Sequence, residues 1–507
     1  MSIALDQQFK IEKKGIMEER VPVLHPSGME HHYFVTYISL PSDVEDGAAV
    51  EQWIERMTFI QEDLSWLLQQ NHTKFWCEVA FNKDFHSMLD SYLRYAPRPQ
   101  RCIGIDNYSS IENGKVLEDS VSQLMFMCIL RLSTHKESAE NFFTPEGFGH
   151  VIYDNYIFDI PRLFDICSLY AINNKELLSK MIGNIFKQQE GYTRDLSDAI
   201  KSIKDVVTKR MKVFLTQTGP KKLNTTATSS SQELIDLLYY ILDLSCTVNR
   251  FLSVNPQSKI TFFQEDFHLT LIHSFETFLR AYERVQQSNE ISDNIDIFEE
   301  AKYETIVLFN DLLTSCCVDK LLINENKSEN VESINNIFSL LIIEKRFLAA
   351  YEDYFSLVQI IDTVHQTTDL LDDQQIKFYT DGVKQAIELY GTPSCKRKLS
   401  SEQPSSSQPS ASSNTSVKKS TNPDIQKIQD MFPHLNEKYI QVSLINFKMK
   451  LNGYFKSFKP ILSIKSSVLS VSSNVSRETV EFCCSLVNSP RTFSAMIDAS
   501  SSLILPT

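Results

Sequence analysis

The chain has 507 residues, room for several domains or one long helical array, and its 42% hydrophobic and 22% charged residues exclude a largely disordered protein. It holds 13 glycines, against roughly 7% in an average chain; this leaves little for tight hairpins, phosphate-cradling loops or doubly wound sheets and points to helices joined by short polar connections. A net charge of −14 argues against a broad nucleic-acid surface, since phosphate contacts need clustered Lys and Arg, so proteins are the expected partners and no direct nucleic acid is expected.

The first twenty residues hold no apolar leader segment, and no run approaches the roughly 18 apolar residues that cross a bilayer. No membrane contact is expected, and the location expected is nuclear and cytoplasmic. From residue 50 to 390 apolar residues recur at helical spacing. Trp53, Met57, Ile60, Leu64, Leu67 and Leu68 trace one face of a first helix, mostly at steps of three and four. An aromatic cluster follows, Phe75, Trp76, Phe81, Phe85, Tyr92 and Tyr95, with Arg94 inside it. Two readings stand for it: the core of the N-terminal helical region, or a partner groove, since aromatics and Arg are enriched at binding hot spots.

Residues 121–132 are a further helix candidate. The segment 219–231 is a polar connection, and Ser230 with Glu233 makes a capping box before a helix through Leu234, Leu237, Leu238, Ile241 and Leu242. Residues 303–313 and 334–355 complete the set, the last with apolar residues on more than one face, as in helices inside a multi-helix array. No repeat of 30–50 residues is found, so irregular packing is expected.

After Gly391 the composition shifts to Ser, Pro and Lys, and residues 392–421 read as a disordered tether. The fold class is therefore all-α: an irregular multi-helix array at 1–391, the tether, a small three-helix module at 422–460, and a Ser-rich tail at 461–507 to which no fold is assigned.

No GxGxxG, GxxxxGK[ST], HExxH or GxSxG occurs, so no enzyme and no cofactor are expected. His31, His32, His86, His135, His150, His268 and His273 are scattered, and Asp372-Asp373 reads as a solvated stretch or end of a helix. Ten cysteines contain no CxxC pair, and the adjacent pairs Cys316-Cys317 and Cys483-Cys484 do not suit one tetrahedral zinc, so reduced thiols and no metal are expected.

Five strings, KFWCEV at 74–79, LDSYLRYAPR at 89–98, LRLSTHKES at 130–138, MIGNIF at 181–186 and EKRFLAAYEDYF at 344–355, resemble the family of subunit 2 of the activating signal cointegrator 1 complex. The resemblance runs in order from about residue 5 to 390. It implies a helical N-terminal region that docks onto the complex's large helicase subunit, with Phe75, Trp76, Tyr92, Arg94 and Tyr95 as candidate helicase-binding residues. It also implies recruitment of that helicase to ubiquitin-marked sites, in alkylation-damage repair and in rescue of stalled ubiquitinated ribosomes.

Downstream of the tether, DIQKIQDMFPHLNEKYIQVSLINFKMKLNGYFKSFKP at 424–460 resembles a CUE domain. Met431, Phe432 and Pro433 would close its first helix, with Pro433 leaving the two apolar residues displayed at the helix end. The resemblance implies ubiquitin contact through these three and through helix 3 at Phe458. Phe458-Lys459 stands where the family has two aliphatic residues, and an ammonium does not replace buried aliphatic area. Two functions are thus open: an adaptor joining helicase to ubiquitin, or a purely structural helicase-stabilising subunit that has lost ubiquitin binding.

Overall fold

The structure, a computed structural model, describes residues 2–14, 17–41, 46–99, 111, 113–217, 227–287, 295–323, 327–368 and 371–393. The expected tether beyond Pro393, the CUE-like module with Met431, Phe432, Pro433 and Phe458, and the Ser-rich tail lie outside the described residues. What is described is a multi-helix array with one small sheet, and it divides into two compact units.

The first unit takes Met1–Ile203 and Leu242–Thr261. It opens with an antiparallel ribbon of β1 (Phe9–Lys14) and β2 (Met17–Pro22), in which Phe9 faces Pro22 and Ile11 faces Arg20. Arg20 lies 4.2 Å from the centre of the Phe9 ring. The glycine count did not signal this ribbon. An irregular segment, 29–41, leads into α1 (Gly47–Gln69), α2 (His72–Phe81), α3 (Lys83–Tyr95), α4 (Gly114–Leu132), α5 (Pro145–Asp154) and α6 (Ile160–Gln188). The start of α7 (Gly191–Gln217) and the end of α8 (Ala227–Val254) belong to it too.

The expected face of α1 is its buried face: Trp53, Met57, Ile60, Leu64, Leu67 and Leu68 are all buried, and α1 packs on α4. The breaks between helices are written in short polar side chains. Asn71 accepts from Lys74 N at 3.0 Å to start α2, and Asn82, which ends α2, accepts from Asp84 N at 2.9 Å to start α3. Thr144 and Asp159 do the same for α5 and α6, each followed by a proline in the first turn. Gly149 lets α5 approach the end of α6: a Cβ there would stand 2.2 Å from the Gln188 carbonyl oxygen.

The second unit takes Lys204–Ile241 and the described residues from Phe262 onward. Besides parts of α7, α8 and α9 (Lys259–Gln264) it contains α10 (Phe267–Gln287), α11 (Ile295–Leu313), α12 (Asp319–Leu322), α13 (Lys327–Ile343), α14 (Lys345–Glu352), α15 (Leu357–Thr367) and α16 (Asp373–Tyr390). A π-helical turn, Thr314–Val318, joins α11 to α12 and buries Cys316 and Cys317; burial pushes the Cys317 thiol up to about 12, so it stays protonated.

Two expectations are corrected here. The helix expected to start after the Ser230 and Glu233 box already runs from Ala227, so Ser230 lies within its first turn. Serine is near neutral inside a helix, so a short polar run can carry the hydrogen-bond ladder upstream of its apolar face. The run expected as one helix over 334–355 is two, α13 and α14, broken at Glu344 (φ −90°, ψ 68°). Phe347, Leu348, Ala349, Ala350 and Tyr351 are five consecutive buried residues, a pattern that one straight amphipathic helix does not give. The acidic pair does sit at a helix end: Asp372 caps α16 in a reciprocal box with Gln375.

His268, at the start of α10, is buried and stacked on Phe263 at 4.3 Å, and its Nδ1 has no hydrogen-bond partner. Burial, and then the charge of Lys204, push its imidazole from the ordinary 6.5 down to about 4. Between these values the unfolded chain binds a proton that the folded chain refuses. This contribution to stability is complete above the unfolded value and is lost as pH falls toward the folded one. Urea unfolding at pH 7 and pH 4.5 should show a fall in stability on the order of 2 kcal/mol larger for the native chain than for His268→Phe. Equal falls would show that this imidazole is not responsible.

Candidate partner-binding site

The site is built on the irregular segment 29–41, which has no helix or strand of its own to satisfy its backbone. Side chains from α1, α2 and α3 do this instead, and α4 holds a strap side chain. Glu78, fully buried on α2, accepts from the Glu30 amide at 2.5 Å, and Asn82 donates to the His32 carbonyl at 2.8 Å and to Glu78 at 2.7 Å. From α1, Asp63 accepts from the Val35 amide at 3.0 Å and from His32 Nε2 at 2.8 Å, while Arg56 donates to the Thr36 carbonyl at 3.1 Å. On α3 Ser91 accepts from the Tyr37 amide at 2.9 Å, and Tyr37 donates its hydroxyl to Glu118 of α4 at 3.1 Å. His32 also stacks flat on Trp66 at 4.0 Å.

This strap sorts the aromatic cluster. Phe75, Trp76, Phe85 and Tyr92 are buried, Phe81 is half-buried, and Tyr95 is 50% exposed. Trp76 meets the edges of Phe143 and Phe148 at 4.8 and 5.9 Å, and the Tyr92 and Tyr170 hydroxyls share a hydrogen bond of 3.0 Å. Burial, and then the charge of Glu118, raise the Tyr92 phenol well beyond its usual range, which keeps it protonated. Phe75 is covered by the Arg131 guanidinium at 4.0 Å. Arg131 in turn donates to the carbonyls of Leu68 and Gln70 at 3.0 Å and to Glu137 at 2.8 Å, tying the end of α1 to the end of α4. His72 Nδ1 stands 3.3 Å from Glu137, outside hydrogen-bonding geometry. Of the five residues expected to bind a partner, Phe75, Trp76 and Tyr92 therefore hold the core. Arg94 and Tyr95 are on the surface.

Those two have neighbours that sequence reasoning did not find. The Arg94 guanidinium is 6.0 Å from the Tyr95 ring centre, and one turn earlier on α3 Asp90 accepts from Arg162 Nε at 2.8 Å. Arg162 also donates to the Ile157 carbonyl at 3.0 Å and to the Tyr156 carbonyl, gripping the turn between α5 and α6. Tyr156 sits in the left-handed region (φ 52°) with its ring 72% exposed. A bulky residue there is strained, and such strain persists where the surroundings over-determine it. The grip of Arg162 on the two carbonyls supplies that constraint. Burial first, and then the charge of Arg162, keep the nearby His86 below its usual range and so neutral at pH 7. The result is an exposed ridge of Asp90, Arg94, Tyr95 and Tyr156, rich in the residue types that dominate protein interfaces.

Among the described residues no group of three His, Cys, Asp or Glu side chains is placed to hold a metal ion, and no helix is long and apolar enough to cross a membrane.

No family model matches the chain. It is 33% identical over 387 residues to human activating signal cointegrator 1 complex subunit 2, covering 72% of this chain and 50% of the human one, and 33% identical over 386 residues to the mouse protein of the same description. The chain thus spans about half the length of the curated relatives it matches. Among solved structures it matches one chain of a crystal structure of a DNA repair complex, ASCC3-ASCC2, with a TM-score of 0.69 and 30% identity, over 77% of this chain and all of that one.

If the strap depends on Glu78, Glu78→Ala should lower stability by about 2–4 kcal/mol, because it leaves the Glu30 amide and the Asn82 amide group without their buried acceptor. Glu78→Gln, which keeps a carbonyl oxygen there, should lose less than half as much. Hydrogen exchange should quicken at residues 30–37 in the alanine variant before it does elsewhere; uniform quickening would mean that Glu78 holds only the global fold.

Proposed function

The chain belongs to the family of activating signal cointegrator 1 complex subunit 2, and on that premise we propose that it is a non-enzymatic adaptor, gripping the complex's helicase subunit with its helical body and sampling ubiquitin with the module beyond its tether. The observation that carries the first half is the likeness, over 77% of this chain and the whole of the other, to a chain from a complex named for two subunits. The ridge at Arg94, Tyr95 and Tyr156 supports it as well, because it offers exposed aromatic and guanidinium groups on backbone that is held in place at the Tyr156 turn. Backbone held in place loses less freedom on binding, so more of the contact energy appears as affinity. In this reading Phe75, Trp76 and Tyr92 serve the partner indirectly, by fixing α2 and α3 beneath the ridge.

The ubiquitin half rests on the Met431, Phe432 and Pro433 motif and the helical spacing that follows it. A flexible tether of some 30 residues reaches about 30 Å on the 5–6 Å × √n rule, so helicase and ubiquitin could be held together and a weak ubiquitin contact would gain from effective concentration. The Phe458-Lys459 departure favours a second reading, the structural subunit blind to ubiquitin. The roles that follow for the adaptor are recruitment of the helicase in alkylation-damage repair and in rescue of stalled ubiquitinated ribosomes.

Binding of the helicase subunit, measured by titration calorimetry, should weaken about tenfold or more in Arg94→Glu and in Tyr156→Ala, with unchanged thermal midpoints for the exposed side chains. Unchanged affinity in both variants would move the interface elsewhere on the body. Labelled ubiquitin titrated with the full chain should show weak, saturable shifts that vanish for the double substitution Phe432→Ala, Pro433→Ala. If the native chain causes no shifts at millimolar concentration, the structural-subunit reading takes the adaptor's place.

A further inference from the structure

The second half of α7, which belongs to the second unit, carries a surface that the helicase and ubiquitin reading does not use. Val207, Met211 and Phe214 are its buried stripe, at steps of four and three. Arg210 is taken up by α8, its guanidinium lying 4.2 Å from the Tyr240 ring centre. Opposite the buried stripe stand Lys209 and Lys212, both exposed, and neither forms an ion pair among the described residues. Flanking them are Val206 and Val213, 44% and 54% exposed and two helical turns apart, so that apolar and cationic positions interleave on one face. Asp205 is the acidic residue on it. In a chain with a net charge of −14, a helix face that is both cationic and apolar is a local reversal of the prevailing field.

We propose that this face of α7 is a docking site for an acidic amphipathic helix of a protein partner. Its Glu or Asp side chains would meet Lys209 and Lys212, and apolar residues two turns apart would cover Val206 and Val213. Charge complementarity selects an acidic occupant. The valines select protein over nucleic acid, because a phosphate backbone offers the cations partners but gives two exposed valines nothing to pack against. The face shares no residue with the ridge at Arg94 and Tyr156, so either proposal can fail without the other.

The test uses the full chain and a fluorescent helical peptide of about 21 residues, long enough to hold helix in isolation, with Leu at seven-residue intervals flanked by Glu. Anisotropy titration should show binding at low salt that weakens about tenfold in Lys209→Glu, Lys212→Glu and by a similar factor in Val206→Asn, Val213→Asn. The same peptide with Lys in place of Glu should not bind. Circular dichroism and thermal midpoints confirm that the variants, all at exposed positions, remain folded. No binding by the acidic peptide overturns the proposal, as does binding that survives the valine substitutions, which would mean general charge attraction. Binding of an oligouridine strand that needs the lysines and ignores the valines would overturn it in favour of nucleic acid.

Discussion

A segment without regular structure needs other partners for the amides and carbonyls it covers, and this constraint organises the first unit, where residues 29–41 run over the helices and bury Phe34 and Tyr37. They meet it through side chains of α1, α2 and α3: Asp63, Arg56, Glu78, Asn82 and Ser91 reach the backbone, while Glu118 of α4 takes the Tyr37 hydroxyl. A buried carboxylate such as Glu78 is costly unless its oxygens are occupied, and here the strap amide and Asn82 occupy them. Strap and helices are thus conditional on each other. Without the strap one buried oxygen of Glu78 would lose its donor, and without Glu78 the Glu30 amide would lose its acceptor.

The same logic recurs in the other strings by which the sequence resembles its family. LDSYLRYAPR supplies Ser91 to the strap, Tyr92 to Tyr170, and Arg98 to Asp165 of α6 and Asp243 of α8. LRLSTHKES supplies Arg131 and Glu137, and MIGNIF supplies Asn184, which donates to the Ser133 carbonyl at 2.9 Å. In the second unit EKRFLAAYEDYF supplies the Phe347 amide and Arg346 to buried Glu276, the Tyr351 hydroxyl to Asn310 at 2.7 Å, and Asp353 to Lys302 at 2.9 Å. An aliphatic position can be filled by several residues of similar volume. A buried donor or acceptor must be one particular group at one particular atom, because a mismatch leaves its partner unsatisfied. Strings that stay legible between distant relatives are therefore expected where buried polar partners meet.

Two arginines fix local structure in the first unit: Arg131 lies over the Phe75 ring, and Arg162 grips the backbone of the Tyr156 turn. Arg162 is the clearer case, since it links α3 to the turn before α6 and holds an exposed tyrosine in a backbone conformation that tyrosine avoids on its own. The backbone that carries the exposed ring is thereby fixed before any partner binds.

By itself the sequence determined the helical class, through scarce glycine and long periodic runs, and it determined the buried face of α1 and the family through its five strings. These are local properties, since the 3.6-residue period needs only one helix to be visible. Tertiary structure decided which aromatic residues are core and which are surface, because Tyr92 and Tyr95 are three residues apart and only the position of Tyr170 and the strap separates their fates. It also decided the break at Glu344, after which Arg346 and the Phe347 amide meet Glu276 of α10. The strap itself, and the contact of Asp90 with Arg162 across 72 residues of sequence, were invisible beforehand for one reason. Pairing between distant polar groups is fixed by how the whole unit packs, and no short-range pattern in the chain encodes it.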